Sequence, residues 1–195
     1  MNEDPSQLKH RLRQEMKAAL RALAPEDRDA GSRAIHHRLR AQPLWNEAKA
    51  VLLFCALPEE PDLSPLLHEL LREGRIACLP RYETGTGNYR AARIQSVDHD
   101  LRPGRFGVLE PANSCSELDM NRLDLVLAPG LGFSPAGTRL GRGRGFYDRL
   151  LSRTNARKCG VAFDCQINPV IPAESHDILM NHIVTPTQWL GPCVA

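Results

Sequence analysis

A chain of 195 residues, 42% of them hydrophobic, is long enough to bury a core as one domain over residues 1–195 and too apolar to be disordered. With 25 Lys and Arg against 23 Asp and Glu, the net charge of +2 excludes a globally basic nucleic-acid binder. No apolar run approaches the roughly 20 residues that span a bilayer, which predicts no membrane partner.

Apolar groups at Leu8, Leu12, Met16, Ala19, Leu20 and Leu23 recur near the helical period and predict an amphipathic helix over 8–23. Pro25 opens a second helix reaching about Arg40. Pro43 marks a break before Val51–Leu57, VLLFCAL, a predicted buried strand. The turn-like Pro58–Asp62 follows. Ser64 and Pro65 read as N-cap and first turn of a helix ending near Gly74, and a strand over Arg75–Leu79 stops at Pro80. Strand, helix and strand in such a short span predict a right-handed βαβ unit and a parallel sheet. Thr84–Asn88 is a loop or hairpin tip. Further strands are expected over Ala91–Gln95, Leu123–Ala128, Gly160–Phe163 and His182–Val184, with Val97–Asn121 rich in turn residues. The fold class is α/β, a sheet with helices on both faces.

The segment RLGRGRGFYD, Arg139–Asp148, carries Arg139, Arg142 and Arg144 with Gly141, Gly143 and Gly145. Arginine presents a fixed fork of donors that matches phosphate oxygens, and glycines let backbone N–H groups approach the same anion. The following FYDRLLSR predicts a helix that receives this loop at its N-terminus. Asp148 is then the one negative group expected beside a polyphosphate, a position suited to Mg²⁺. The loop is neither a P-loop nor a GxGxxG fingerprint, so flexible surface and RNA contact stay open as alternatives. Between Arg139 and Lys158, seven cations face one acid, a local patch on a nearly neutral chain that suits a small polyanion.

Six cysteines show no CxxC pair; Cys55, Cys78 and Cys159 in apolar runs are expected to pack as small hydrophobes. The absence of an N-terminal apolar segment predicts a reduced, cytoplasmic protein. His36, His37 and His176 lack partners at metal spacing, and surface or capping roles are expected.

The run APGLGFSPAGTRLGRGRGFYDRLL resembles the signature of the 5-formyltetrahydrofolate cyclo-ligase, or methenyltetrahydrofolate synthetase, family. KHRLRQEMKAAL, LFCALPEEPDL, IACLPR, RFGVLEP, GVAFDCQ and HDILMNHIVTP are similar to the same family in order and spacing. The resemblance implies a three-layer sandwich with a mostly parallel central sheet, shared with some sugar-phosphate isomerases and CoA transferases. It implies ATP-dependent closure of 5-formyltetrahydrofolate to 5,10-methenyltetrahydrofolate, with ADP and phosphate released. By the same resemblance Lys9, Arg13, Arg139, Gly141, Arg142, Gly143, Arg144, Gly145 and Tyr147 bind the nucleotide, with Arg144 and Tyr147 catalytic. Leu57 and Glu60 bind the folate, and Asp148 and Asp177 hold Mg²⁺. Taken alone, Lys9 and Arg13 read as a solvated basic face, and Asp177 as a turn cap.

Phe54, Leu57, Phe106 and Tyr147 are candidate walls for the folate rings; Arg81 and Tyr82 are weaker candidates for its carboxylates or for the nucleotide. Three positions depart from the family pattern: Arg144 stands where the family often has a lysine, Ser134 and Asn181 stand where relatives carry acids, and Ser134 is expected to cap its loop through the hydroxyl instead. The expected partners are small molecules rather than nucleic acid, and the expected assembly is a monomer. The rival functions are a divergent paralogue with another small substrate, and an RNA-binding module, which would call for more aromatic platforms than a chain of 5% aromatics offers.

Overall fold

The computed structural model describes residues 4–174 and 177–193, the side chain of Phe106 excepted; His176 lies outside the described residues. Helices α1 (Pro5–Ala22), α2 (Pro25–Arg40) and α3 (Pro43–Glu47) lead into strand β1 (Ala50–Leu52). Helix α4 (Ser64–Arg72), strands β2 (Ile76–Glu83) and β3 (Asn88–Ile94), helix α5 (Val97–Asp100) and a hairpin of β4 (Leu101–Pro103) with β5 (Leu109–Pro111) follow. The chain then runs through β6 (Leu125–Ala128), a small hairpin of β7 (Gly132–Phe133) and β8 (Arg139–Leu140), α6 (Phe146–Leu151), β9 (Arg157–Val161), β10 (His182–Val184) and β11 (Trp189–Leu190).

The main sheet has seven strands in the order β11-β10-β9-β6-β1-β2-β3. The five from β10 to β2 are parallel, and the edge strands β3 and β11 are antiparallel to their neighbours. From β1 the chain steps to β2 on one side, then returns to β6, β9 and β10 on the other. The order therefore reverses between β1 and β6, and in open α/β sheets such a reversal opens a crevice at the carboxyl ends of the strands.

Successive residues alternate between the two faces of the sheet. Val51, Leu125, Leu127 and Val161 pack with α1, α2 and α4 in one core; Leu52, Val126, Ala128 and Ile183 pack with Leu150 and Leu151 of α6 in the other. The layers are unequal. Four helices supply the first core, whereas the second rests on one six-residue helix and the irregular chain around Leu118–Leu123.

Several elements depart from expectation for physical reasons. The predicted strand over Val51–Leu57 ends at Leu52, and the remaining residues leave the sheet to form a cavity wall. Strand β2 continues through Pro80 to Glu83. The Cys78 carbonyl accepts from Leu53, so alternation turns Pro80 toward the same side, where β1 has already ended and no ladder bond is lost. Ser64 is the first residue of α4 rather than its N-cap, which is Leu63, and the Asp62 carboxylate accepts from the Ser64 N–H at 2.9 Å. The turn-rich stretch Val97–Asn121 holds α5 and the β4–β5 hairpin. The helix after the arginine-glycine loop stops at Leu151, short of Arg153, and its brevity limits what its dipole adds.

Candidate active site

A cavity of about 540 Å³ opens at the carboxyl ends of β1 and β6, the crevice the strand order defines. The segment after β1 brings Phe54, Cys55, Leu57, Glu59 and Glu60; the segment after β6 brings Pro129 and Gly130 and then the loop from Arg139 to Asp148. Lys9 and Arg13 enter from α1, and Glu174 and Asp177 from the chain before β10. Lys9, Arg13, Leu57, Glu60, Arg139, Gly141, Arg142, Gly143, Arg144, Gly145, Tyr147, Asp148 and Asp177, the main residues expected from the sequence, all line this one cavity.

The cations are held by carboxylates. Arg139, whose side chain is 4% exposed, donates to Asp148 at 2.6 Å and to the Pro129 carbonyl at 3.3 Å, with its guanidinium 5.6 Å from the Tyr147 ring centre. Arg142 donates to Glu60 at 2.9 Å and to Glu59 at 3.0 Å. Lys9 donates to Glu174 at 2.5 Å and Asp177 at 2.7 Å. Burial alone lowers the Lys9 pKa, but hydrogen bonds to Asp177 and Glu174 and their charges outweigh it, and the ammonium titrates above its ordinary value. The same balance of burial against Glu60 and Glu59 raises Arg142.

Lys9 shares the buried stripe of α1 with Leu12, Met16 and Leu20, so it belongs to no solvated face. Arg13 is half-buried and donates to the Gly141 carbonyl at 3.0 Å, tying α1 to the loop. Gly143 and Gly145 adopt φ of 97° and 63°, a backbone region that favours glycine, and so bend the loop over the cavity. The exposed Arg144 sits at the same turn, where its carbonyl accepts from Arg149 at 3.2 Å.

The rest of the lining is largely apolar. Phe54, Leu57, Tyr89, Val108, Leu109 and Phe146 contribute to it, and Tyr89, Phe146 and Tyr82 meet edge to face with centres 5.5 to 5.9 Å apart. Leu109 leaves 47% of its surface open, apolar area for a flat ligand to cover. Glu60, whose side chain is 6% exposed, also accepts from the Leu57 N–H at 3.1 Å, so its orientation is fixed from two sides.

Burial pushes the Cys55 thiol up to about 11 and the Tyr89 phenol to about 12, and holds Tyr147 well above the ordinary tyrosine value, with Glu60 adding to the effect. These groups keep their protons at neutral pH. Among the described residues no serine, threonine or histidine lines the cavity. The cations Lys9, Arg139, Arg142 and Arg144 equip the site to bind and neutralise negative charge. For Mg²⁺ the donor chemistry fits: Asp148, Glu174 and Asp177 offer hard oxygens in the cavity lining, and this ion takes one or two carboxylates with phosphate oxygens and water. Among the described residues no preassembled cluster of three ligands exists.

Other expectations are corrected. Asp148 is not the lone acid beside the loop, since Glu59, Glu60, Glu174 and Asp177 line the same cavity. Asp177 does cap a turn, accepting from the Glu174 N–H at 2.9 Å, while facing Lys9. Arg81 clips the chain by donating to the carbonyls of Ala112 and Cys115, and Tyr82 packs behind Tyr89; neither lines the cavity. The side chain of Phe106 lies outside the described ones. Cys78 and Cys159 are fully buried as small hydrophobes, whereas Cys55 is half-buried at the cavity.

Ser134 is buried away from the cavity, and its hydroxyl accepts from the Thr138 N–H at 3.1 Å, the capping role expected of it. The Asn181 side chain accepts from the Lys158 N–H at 2.8 Å, at the opposite end of β10, so an acid there would not reach the cavity. Sequence reasoning missed Glu59, Glu110, Glu174, Tyr89 and Phe146. The Glu59-Glu60 doublet was visible, and Phe146 and Glu110 stand inside the quoted RLGRGRGFYD and RFGVLEP runs; Tyr89 and Glu174 reach the site through strand pairing and a loop that carry no local signature.

An open, mostly parallel sheet whose switch-point crevice is closed by an arginine-glycine loop defines an α/β protein built to take an anionic ligand beside a flat apolar one. The chain belongs to the 5-formyltetrahydrofolate cyclo-ligase family, whose sequence profile matches residues 5–186. It is 30% identical over 192 residues to 5-formyltetrahydrofolate cyclo-ligase of Mus musculus, covering 90% of this chain and 92% of that one. It is 32% identical over 172 residues to the Escherichia coli enzyme of the same name, covering 86% and 94%. The solution structure of Aquifex aeolicus 5,10-methenyltetrahydrofolate synthetase superposes with a TM-score of 0.86 at 31% identity, covering 96% and 94%.

Proposed function

We propose that this protein, acting as one domain, uses ATP and Mg²⁺ to convert 5-formyltetrahydrofolate to 5,10-methenyltetrahydrofolate. An N-formyl oxygen is a poor leaving group. Transfer of the γ-phosphoryl group from ATP to that oxygen, with ADP leaving, turns it into a phosphate ester. N10 then attacks the formyl carbon and loses its proton, the carbon–oxygen bond breaks, and inorganic phosphate departs. Catalysis of this kind is mostly positioning and charge neutralisation.

Lys9, Arg139, Arg142 and Arg144 are the donors to the triphosphate, with the backbone of Gly141, Gly143 and Gly145 and the phenol of Tyr147; Arg13 steadies the loop. Arg144 and Tyr147 stand nearest in role to the transferred group. Glu60 accepts from the 2-amino and N3–H groups of the pterin, and Leu57 lines its pocket. Asp148 and Asp177 hold Mg²⁺, which supplies charge neutralisation at the phosphate oxygens. Nucleotide binding then exchanges partners: Arg142 leaves Glu60 for phosphate, and Lys9 leaves Asp177.

The observation that carries this reading is the meeting of Lys9, Glu60, the arginine-glycine loop and both metal candidates in one cavity at the switch point. A monomer in the cytoplasm, with no nucleic-acid partner, belongs to the same reading. No helix is long and apolar enough to cross a membrane among the described residues, although a related plant protein is named mitochondrial. The test is an absorbance assay for the methenyl product with ATP, Mg²⁺ or both withheld. Product that forms only with both present supports the reading, and folded protein that forms none overturns it.

A further inference from the structure

The loop that presents Glu60 is held from behind by a polar stripe on α2. His36 is 5% exposed and its Nε2 lies 2.6 Å from the Asp62 carbonyl oxygen, which only accepts, so Nε2 carries the proton. Ser32 is 6% exposed; its hydroxyl accepts from the Asp62 N–H at 3.1 Å and donates to the Arg28 carbonyl at 2.8 Å. Both backbone polar groups of Asp62 are thus satisfied by side chains four residues apart on one helix. One turn earlier, Arg28 donates to the Pro58 carbonyl at 3.4 Å and the Leu20 carbonyl at 3.0 Å. The loop bears no regular structure of its own between Phe54 and Leu63. Besides these contacts, the loop is held by the internal bonds of Leu57 with Glu60, by Arg142 on Glu59 and Glu60, and by Ser64 on the Asp62 carboxylate.

We propose that His36 and Ser32 are positioning residues for substrate recognition: by gripping Asp62 they fix the loop that aims Glu60 into the cavity. This rests on the reading of Glu60 as the folate-binding carboxylate. The grip acts two residues from Glu60, on a loop whose carboxylate must meet a planar donor edge within hydrogen-bond reach. Loosening the grip lowers the fraction of molecules with Glu60 correctly set, which weakens folate binding and leaves phosphoryl transfer in the bound complex intact.

The test compares His36→Met, Ser32→Ala and His36→Gln, the last restoring an N–H donor, in steady-state kinetics and in amide exchange at Glu60. The Glu60 N–H is bonded to Leu57 and not to either clamp residue, so it reports on the loop. The KM for 5-formyltetrahydrofolate is expected to rise about tenfold in the first two variants, the scale of one lost buried hydrogen bond. The kcat and the KM for ATP stay within about twofold, and His36→Gln recovers most of the loss. Exchange at Glu60 quickens in the same two variants. An unchanged folate KM, or a common shift of kcat and both KM values, overturns the proposal. Wild-type protein that forms no methenyl product sinks the functional reading instead. Exchange at Glu60 then decides the grip alone, faster supporting it and unchanged overturning it.

Discussion

Arg142 of the arginine-glycine loop donates to Glu60 at 2.9 Å, joining residues 82 positions apart that belong to the two sides of the sheet's switch point. The arginine side chain is 35% exposed and the carboxylate 6% exposed, so the pair is desolvated chiefly on the glutamate side. The proposed exchange, in which phosphate claims Arg142 and frees Glu60, predicts that the binding of the two substrates is mutually dependent.

Arg142→Ala is expected to leave Glu60 uncompensated and to lower kcat/KM for ATP by roughly 2 kcal/mol, about thirtyfold, as for a lost charge-assisted hydrogen bond. In a double-mutant cycle with Glu60→Gln, thermal unfolding should show a coupling of about 1 kcal/mol. Strict additivity would mean that the pair carries no interaction in solution.

Arg139 and Asp148 form the most enclosed pair of the loop. Arg139→Lys loses the second contact to Pro129 and the guanidinium held over the Tyr147 ring. Urea unfolding should report a loss of about 2 kcal/mol, below the 3 to 5 of a fully broken buried pair because lysine keeps the charge. A variant as stable as wild type would show that Asp148 does not depend on the guanidinium fork.

Gly160 lies in β9 between β6 and β10, and a Cβ there would stand 2.4 Å from the Phe133 ring. Gly160→Ala should destabilise the fold by about 1 to 3 kcal/mol through overpacking, with KM values near wild type in the protein that remains folded. Calorimetry checks the first part and kinetics the second.

Burial is the first cause that lowers the pKa of both His36 and His182, with Arg40 and Arg157 respectively adding to it. The folded protein keeps both neutral while the unfolded chain takes up protons near pH 6.5, so their contribution is present above that pH and is lost as pH falls below it. For His36 the slope is at most about 1.4 kcal/mol per pH unit. Stability measured by urea midpoint should fall on acidification from pH 6.5, and His36→Gln should flatten that fall.

What was legible in the chain followed the range of the interactions. The helix over Pro25–Arg40 and strand His182–Val184 rest on local periodicity and proline punctuation and stand where the sequence puts them, and the βαβ unit does so apart from the ends of its two strands. The arginine-glycine loop announces an anion site because its chemistry is contiguous. Lys9 looks like one of many basic positions on an amphipathic helix, and only the packing of α1 shows it to be buried against Glu174 and Asp177. Strand β2 runs past Pro80 because β1 has ended beside it, a fact about a neighbour that no residue of β2 encodes. Ser32 and His36 read as ordinary helix residues until Asp62, 26 and more positions away, is folded against them.

The most direct test of the central claim follows the formyl oxygen itself. 5-Formyltetrahydrofolate labelled with ¹⁸O at the formyl group is converted with ATP and Mg²⁺ in unlabelled water, and the inorganic phosphate released is analysed by mass spectrometry. Phosphorylation of that oxygen predicts one ¹⁸O in each phosphate formed. Unlabelled phosphate, with the label lost to water, would contradict it.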